Sequence, residues 1–143
     1  MPNPSLTYIA RRLVEFRETD AAGIMHFTAF FGLMEESEHE FLRYLGLPLF
    51  RPTAEGKISW PRVSASCDFK SPAKFEDELA IAVAVDSMGT KSVTYAFDFR
   101  CGDRHVAAGK MTAVCCLVKP DGQVQAVAIP AEVIAKLTPY MSE

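Results

Sequence analysis

Residues 28–46 read TAFFGLMEESEHEFLRYLG, and the spacing of their apolar side chains decides the fold class. The apolar residues recur at steps of three and four, as on the buried face of an α-helix; they are Phe30, Leu33, Met34, Phe41 and Leu45. Four glutamates are predicted to form the solvent-facing side: Glu35, Glu36, Glu38 and Glu40. The stretch therefore predicts one long, half-buried helix over about residues 29–45.

The ends of this helix carry recognisable signals. Thr28 suits the N-cap, and Gly46 followed by Leu47-Pro48 stops the helix. Gly32 lies inside the helix and weakens it, so we expect another backbone to pass close to that residue. A second, short amphipathic helix is predicted near the end of the chain, at about residues 130–137.

Outside the helices the apolar period is two, which is typical of half-buried strands. The predicted strands span about residues 8–17, 63–69, 79–85, 92–99 and 106–118, with a loop over residues 47–61. Turn-forming segments separate the later strands and suit antiparallel hairpins. Since helix and strands are segregated along the chain, the order predicts an α+β fold with an antiparallel sheet.

Composition limits the classes of protein that fit. The 143 residues suit a single domain over residues 1–143, and the net charge of −3 argues against a duplex nucleic-acid partner. No stretch has the pattern of a signal peptide or the roughly 18 apolar residues of a membrane span. The four cysteines form no Cys-x-x-Cys pair, which favours buried thiols in a reducing compartment. We therefore expect a cytoplasmic protein.

Asp20 is the sharpest candidate for chemistry. It follows the first predicted strand and precedes the helix N-terminus by about eight residues. A carboxylate there can face a substrate carbonyl held by free backbone N–H groups of the helix, which stabilise an oxyanion. Asp20 could act on water as a general base, or as a nucleophile. From spacing alone, however, a turn-shaping aspartate is the more common role.

The other polar residues give weaker signals. His26 either orients a substrate carbonyl or serves the start of the helix. Glu35 and His39 share one helical face and could pair, which usually only supports a surface helix. The three histidines are too scattered for a metal site. The sequence also lacks a Gly-x-Ser-x-Gly elbow and a phosphate-binding glycine loop, which disfavours a serine hydrolase and a nucleotide-loop enzyme.

Several segments occur in an order that carries a family resemblance. Residues 14–27 read VEFRETDAAGIMHF, residues 34–42 read MEESEHEFL, and residues 66–79 read SCDFKSPAKFEDEL. Gly89-x-Lys91-Ser92 and Ala108-Gly109-Lys110 follow. Together, from about Tyr8 to Val118, they resemble the 4-hydroxybenzoyl-CoA thioesterase branch of the hotdog superfamily.

The resemblance implies a fold, a substrate and a site. The fold is a five-stranded antiparallel sheet wrapped around one long central helix, in a homodimer or homotetramer with sites at the interface. The substrate is an acyl-CoA, and no separate cofactor is implied because CoA is part of the substrate. Asp20 falls on the catalytic aspartate, and the oxyanion donor falls on the backbone N–H of Phe27 or its immediate neighbours. The expected substrate-binding residues are Phe30 and Met34 at the acyl group and Lys70, Lys74 and Lys91 at the CoA phosphates.

The chain departs from the pattern in one place, and alternatives stay open. Some relatives carry His or Tyr seven residues after the aspartate, where this chain has Phe27. Either His26 substitutes, or the backbone N–H alone polarises the carbonyl, which we favour. The Asn-Pro of hotdog hydratases and the Pro-Gly-rich helix start of the dehydratases are absent, so both are less favoured. A non-catalytic acyl-CoA-binding module remains an alternative.

Two segments give a suggestion about the identity of the acyl group, and the predicted sheet gives one about the oligomeric state. Residues 20–23 and 63–69 resemble dihydroxynaphthoyl-CoA thioesterases, which suggests an aromatic acyl group. An exposed edge strand needs pairing or protection, so a monomer is not expected.

Overall fold

The computed structural model describes residues 6–141 of the chain. Nine strands and two helices follow one another in that range: β1 (Tyr8–Leu13), α1 (Ala29–Tyr44), β2 (Arg51–Thr53), β3 (Gly56–Ser59), β4 (Arg62–Phe69), β5 (Glu78–Met88), β6 (Ser92–Cys101), β7 (Arg104–Val114), β8 (Cys116–Val118), β9 (Val124–Ala126) and α2 (Ala131–Leu137). Short 3₁₀ turns lie at Phe16–Glu18 and Thr138–Tyr140. No helix in residues 6–141 is long and apolar enough to cross a membrane.

The main sheet has five antiparallel strands in the order β1-β5-β6-β7-β4. Large apolar side chains at alternate positions of β5 and β6 are buried on one face: Leu79, Ile81, Val83, Val85, Val93, Tyr95, Phe97 and Phe99. Burying a large apolar side chain contributes about 1.5–3 kcal/mol, so this face holds the core together. α1 adds Phe30, Leu33, Met34 and Phe41 to the same core. Small residues such as Ala82, Ala84 and Ala96 lie on the opposite face.

Helix α1 forms where its apolar period predicts it and ends as Gly46 predicts. Gly46 has a φ of 75°, and its N–H donates to Arg43 O while the N–H of Leu47 donates to Leu42 O. These two bonds form a Schellman motif, in which a glycine in the left-handed region satisfies the last carbonyls of a helix. The close approach expected at Gly32 is wrong, because a Cβ there would meet nothing within 4 Å. The close approach is at Gly109, where a Cβ would collide with the sulfur of Met34.

A second sheet of four short strands, β2-β3-β8-β9, was not predicted. Residues 47–61, expected to be a loop, contain β2 and β3, and the strand expected over 106–118 is two strands that meet at Cys115. The sequence around Cys115 is an unbroken apolar run, AVCCLV over residues 113–118, so periodicity cannot reveal that the chain passes there from one sheet to the other. The first strand also ends at Leu13 rather than near Arg17. The fold is α+β and antiparallel with a short C-terminal helix, and a single five-stranded sheet is an incomplete description of it.

The strand β4 forms one edge of the main sheet. It pairs with β7 on its inner side, and within residues 6–141 no strand pairs with its outer side. Most of its residues are exposed, including Val63 and Phe69. The site described next lies at the Phe69 end of this edge.

Candidate functional site

A cavity of about 420 Å³ lies between the start of α1 and the two loops that follow β1 and β4; we call it the Asp20 cavity. Its lining consists of Asp20, Ile24, Met25, Phe27, Phe30, Phe69, Lys70, Ser71, Pro72 and Ala73. The volume falls within the range of small-molecule sites, about 300–1,000 Å³. The lining is mostly apolar with a few polar groups, as ligand sites usually are.

Backbone hydrogen bonds hold the loop that carries Asp20. The N–H of Asp20 donates to Ile24 O at 2.9 Å, which closes the turn around Gly23, whose φ is 80°. The N–H of Met25 donates to Ala73 O at 2.7 Å, and that of His26 donates to Glu18 O at 2.7 Å. The first of these two bonds joins both loops of the cavity. The position of Asp20 is therefore fixed by the backbone on either side of it.

Only one of the two carboxylate oxygens of Asp20 accepts a hydrogen bond within residues 6–141. Its Oδ1 accepts the N–H of Ala22 at 2.8 Å, the bond of an Asx turn. Its Oδ2 accepts no hydrogen bond from residues 6–141. The turn-shaping role and the chemical role weighed for Asp20 are thus compatible, because one oxygen orients the side chain and the other has no hydrogen-bond partner among residues 6–141.

The start of α1 leaves backbone donors free, among them the N–H of Phe27. The N–H of Ala29 donates to His26 O and the N–H of Thr28 approaches His26 Nδ1 at 3.2 Å. The N–H of Phe27 has no acceptor among the described residues. Because a helix N-terminus carries a partial positive charge, an unpaired donor there suits a developing oxyanion.

His26 serves the helix start in this structure. Its Nδ1 lies 2.7 Å from Thr28 Oγ1, and its ring stacks on Phe27 with centroids 4.7 Å apart. Thr28, predicted to be the N-cap, occupies that position but makes no cap hydrogen bond with its side chain. The imidazole supplies the acceptor instead. His26 is not among the residues that line the Asp20 cavity.

Aromatic rings form the apolar wall of the cavity. The ring of Phe69 lies 5.2 Å from that of Phe30 and 6.5 Å from that of Phe27, centroid to centroid, both in edge-to-face geometry. Phe69 was quoted in the family motif but not singled out as a binding residue. Met34, expected to bind substrate, is fully buried in the core and does not line the cavity.

Of the three lysines predicted to bind the CoA phosphates, one lines the cavity. Lys70 lines the cavity, whereas Lys74 lies further along the same loop and Lys91 lies between β5 and β6, and neither lines the cavity. Arg104 is a residue that sequence reasoning missed. Its guanidinium donates to Ser71 Oγ at 3.0 Å and to the carbonyl of Pro72, so it anchors the wall that those two residues form. No local pattern marks this arginine, since its contacts with Ser71, Pro72 and Asp77 lie far away in the sequence.

A second cavity, of about 280 Å³, lies at the Arg62 end of β4; we call it the edge cavity. Glu38, expected on the solvent side of α1, is 2% exposed there, so that expectation is wrong. Both of its carboxylate oxygens lie 2.6 Å from the Arg62 guanidinium, in a paired contact. Burial raises the pKa of Glu38, and the bonds and charge of Arg62 oppose that shift. A buried carboxylate is tolerated only when paired in this way.

Metal chemistry has no support from the described residues. Within residues 6–141 no group of three or more His, Cys, Asp or Glu side chains could hold a metal ion. The chemistry available at the Asp20 cavity is therefore that of a carboxylate, a backbone donor and an apolar wall.

Several known proteins are similar to this chain. The family model described as the thioesterase-like superfamily matches residues 14–137. A 1,4-dihydroxy-2-naphthoyl-CoA hydrolase from Prochlorococcus marinus (strain MIT 9313) is 30% identical over 135 residues, with 84% of this chain and 89% of that protein covered. The structure of gentisyl-coenzyme A thioesterase is 28% identical, with a TM-score of 0.76, and 92% of this chain and 99% of that chain are covered.

A more distant structure shares the fold alone. It is a mutant of 4-hydroxybenzoyl-CoA thioesterase in complex with 4-hydroxybenzoyl-CoA. Its identity to this chain is 18% and its TM-score 0.78, with 92% of this chain and 98% of that chain covered.

Proposed function

Because the chain belongs to the thioesterase-like superfamily, it is a thioester hydrolase with the hotdog α+β fold, and we propose that Asp20 and the backbone N–H of Phe27 carry its chemistry. The proposal rests on two groups that belong to the same cavity. An unpaired carboxylate oxygen and an unpaired backbone donor belong to two residues that line one cavity. Both groups suit the same reaction, because a carboxylate can serve as a base and a backbone N–H can stabilise an oxyanion.

In this proposal the thioester carbonyl oxygen faces the N–H of Phe27. As a general base, Asp20 takes a proton from water, which attacks the carbonyl carbon, and the tetrahedral oxyanion is held by the backbone donor. The intermediate collapses, the C–S bond breaks, and the CoA thiolate takes the proton from Asp20. As a nucleophile, Asp20 attacks the carbon itself, the C–S bond breaks, and the CoA thiolate leaves and takes a proton from water. The mixed anhydride that remains is hydrolysed by water to the free acid and the Asp20 carboxylate. Trapping the anhydride with hydroxylamine in a rapid quench separates the two routes.

We propose a hydroxylated aromatic acyl-CoA as the substrate class. The rings of Phe27, Phe30 and Phe69 provide edge and face contacts for an aromatic acyl group. The similar proteins named above act on dihydroxynaphthoyl-CoA and gentisyl-CoA. Lys70 on the cavity rim and the nearby Lys74 are the basic residues we assign to the CoA phosphates, ahead of Lys91.

The substitution Asp20→Asn tests the catalytic role. It keeps the Asx-turn acceptor but removes the base, so we expect turnover of 4-hydroxybenzoyl-CoA to fall by about 10²–10⁴ with the fold intact. Thiol release is followed with a trapping reagent. Asp68→Asn is the matched control, because Asp68 lines a different cavity on the opposite face of the sheet. Full turnover by Asp20→Asn would refute the assignment, and binding without thiol release by the wild type would favour an acyl-CoA-binding module.

We also propose that the protein forms a homodimer through the outer side of β4. Alternate residues of this eight-residue strand offer unpaired backbone groups on its outer side, and Val63 and Phe69 in it are 64% and 49% exposed. An exposed edge of this kind is a template for pairing with a second strand. A second copy of β4 matches it in length and can pair around a two-fold axis.

Cysteine crosslinking tests the dimer. The midpoint of β4 lies between Ala65 and Ser66. A residue paired with its own copy has a Cα separation of about 4.5–5.5 Å, which a disulfide can span. We expect Ala65→Cys or Ser66→Cys to crosslink under mild oxidation, and Asp103→Cys, in the turn before β7, to stay uncrosslinked. A monomeric mass in light scattering would refute the proposal, and the same measurement separates dimer from tetramer.

The redox state of the four cysteines is relevant to the cellular compartment in which the protein works. All four are free thiols, and burial raises the pKa of the Cys67 thiol to about 11. Four free thiols, with that of Cys67 made less reactive by its raised pKa, support the proposal that the protein works in a reducing compartment, the cytoplasm.

A further inference from the structure

The two loops that line the Asp20 cavity also carry two exposed aromatic rings that contact each other. Phe16, in the loop after β1, is 75% exposed, and Phe75, in the loop after β4, is 50% exposed. Their ring centroids lie 5.8 Å apart in edge-to-face geometry. We call these two residues the aromatic pair. Neither ring belongs to the core, and contiguous apolar surface with polar neighbours is a feature of binding sites.

The turn that carries Phe75 is held in a strained conformation. The N–H of Asp77 donates to Lys74 O at 3.0 Å, and Glu76, the third residue of this turn, has a φ of 71°. Glycine usually takes such a position, because a residue with a Cβ is strained there. The N–H of Glu76 donates to Val14 O at 2.9 Å, so the segment after β1 also braces the turn. Backbone strain of this kind concentrates at functional sites.

The backbone at Phe16 is also fixed. Phe16 begins a 3₁₀ turn in which the N–H of Glu18 donates to Glu15 O at 2.9 Å and the N–H of Glu15 donates to Glu18 Oε1 at 2.8 Å. The N–H of Thr19 donates to Phe16 O at 3.0 Å. Both rings therefore extend from backbone that is ordered before a ligand arrives, which lowers the entropy lost on binding.

The aromatic pair lies close to the Asp20 cavity. Phe75 follows the lining residue Ala73 by two positions, so their Cα atoms are at most about 7.6 Å apart. Phe16 precedes Asp20 by four positions. The nucleotide of CoA and the thioester are at opposite ends of the pantetheine arm. A cavity of about 420 Å³ that holds the thioester and an aromatic acyl group leaves the nucleotide on the neighbouring surface.

Two lysines belong to the loop that carries Phe75. Lys70 lines the cavity, and Lys74 directly precedes Phe75. Both are exposed, and neither makes an ion pair within residues 6–141. From the cavity outward the loop therefore presents cations first and an aromatic ring next. Diphosphate and adenine follow each other in the same order along CoA, starting from the thioester.

We infer that Phe16 and Phe75 bind the adenine ring of the acyl-CoA substrate by stacking. Stacking on an aromatic side chain needs no hydrogen bond to the edge of the base. The inference rests on the proposed thioesterase function and assigns residues to the end of the substrate that is remote from the thioester.

The alternative occupant of an apolar surface beside lysines is an acidic acyl carrier protein. A protein partner of ordinary interface size covers about 800 Å² on each side. Two aromatic side chains present at most about 500 Å². The aromatic pair therefore fits a planar base better than a protein surface.

Two thioesters of the same acid separate the nucleotide from the rest of the substrate. In Phe16→Ala/Phe75→Ala we expect KM for 4-hydroxybenzoyl-CoA to rise by about fivefold or more, because a stacked base is lost. We expect kcat to stay within about twofold, since the lost contact is the same in the ground and transition states. The 4-hydroxybenzoyl thioester of pantetheine has no adenine, so its KM should not change. Equal losses on both thioesters, or no loss on either, would overturn the inference.

Substitutions at Phe75 alone separate stacking from apolar bulk. Phe75→Trp keeps an aromatic face, and Phe75→Leu keeps only an apolar side chain. We expect KM for 4-hydroxybenzoyl-CoA to stay within about twofold in the first and to rise by about threefold or more in the second. Tyr44→Ala is the matched control, because Tyr44 is 66% exposed and contacts the ring of Tyr8 at the far end of α1. Equal KM values for the two Phe75 variants would contradict stacking.

Calorimetric titration with CoA itself tests binding apart from hydrolysis. We expect Kd to rise by about fivefold or more in Phe16→Ala/Phe75→Ala and to stay near the wild-type value in Asp20→Asn. If the wild type shows this pattern but hydrolyses no acyl-CoA, the proposed function fails and the adenine site stands. If the wild type is active and the double variant binds CoA equally well, the inference alone fails. It also fails if the double variant loses turnover only with 4-hydroxybenzoyl carried by an acyl carrier protein.

Discussion

The two ends of β4 differ in how their polar groups are satisfied. At the Phe69 end, an oxygen of Asp20 and the N–H of Phe27 have no partner among the described residues. At the Arg62 end, Glu38 is more deeply buried, yet both of its oxygens are held by one guanidinium. The unpaired groups belong to residues positioned by backbone bonds, so the fold can leave them available to a substrate.

The comparison teaches that burial of a charge is a poor guide to its chemical role. Glu38 is the most buried carboxylate described, but its partner leaves it no oxygen for catalysis. Asp20 is only half-buried, and it keeps a free oxygen because its other oxygen is engaged by the backbone of its own turn. A paired buried ion should matter for stability, and an unpaired one for turnover.

The largest effect is expected when the ion pair of Glu38 and Arg62, at the Arg62 end of β4, is broken. Arg62→Met leaves Glu38 buried without a partner, so we expect the free energy of unfolding in urea to fall by about 3–5 kcal/mol. Replacing both residues by methionine should recover most of that loss, because the buried charge is gone. Both are measured at one protomer concentration, since β4 is the proposed dimer edge. A single variant as stable as the wild type would contradict the pairing argument.

The next largest effect is expected at the Phe69 end of β4, from loss of the free N–H of Phe27. Phe27→Pro removes the backbone N–H, so we expect kcat to fall by about 10²–10³, as on loss of one oxyanion donor. Phe27→Leu keeps the N–H and an apolar side chain and should retain kcat within about threefold, because the donor is still present. Circular dichroism checks that the helix survives in both. Equal losses of kcat would indicate that the aromatic side chain, and not the backbone, is required.

The sequence predicted features whose signals are local. The period of three and four places α1 within a residue of its observed ends, and the Schellman motif at Gly46 follows from one glycine. Asp20 also had a local signal, the turn before the helix. The short strands of the second sheet have three or four residues each, which is too few alternations to register as a pattern.

Features that depend on distant partners escaped prediction. Glu38 looked solvent-facing because its partner Arg62 lies 24 residues away and reaches it only through the register of β4. The same is true of Arg104, whose contacts with the loop after β4 depend on the pairing of β7. The free donor of Phe27 could be placed only by the family resemblance, because no side chain encodes it.

A moderate effect is expected from the anchor of the cavity wall. Arg104→Gln loses the bonds to Ser71 and to the carbonyl of Pro72, so the wall can shift. Small displacements of positioning groups cost about tenfold to a hundredfold in rate. We expect kcat/KM to fall in that range with little loss of stability, because the side chain is partly exposed. Arg100→Gln is the control, since Arg100 pairs with Asp98 and does not contact the loop. A loss of the same size in the control would assign the effect to surface charge.

The smallest expected effect is a difference in the pH dependence of stability, caused by His39 in the edge cavity. Because burial holds the pKa of His39 below its ordinary value of 6.5, the unfolded chain takes up a proton first as pH falls below 6.5. Stability should therefore decrease from pH 7.5 towards the lower folded pKa, by less than about 1 kcal/mol for a partly exposed group. His39→Gln removes this contribution, so its urea midpoint should fall less than that of the wild type between pH 7.5 and 5.5. Glu38 is present in both proteins, and its raised pKa acts in the opposite direction, so the difference between the two curves isolates His39. Parallel curves would mean that the imidazole titrates alike in the folded and unfolded chain, which would contradict the lowered pKa of His39.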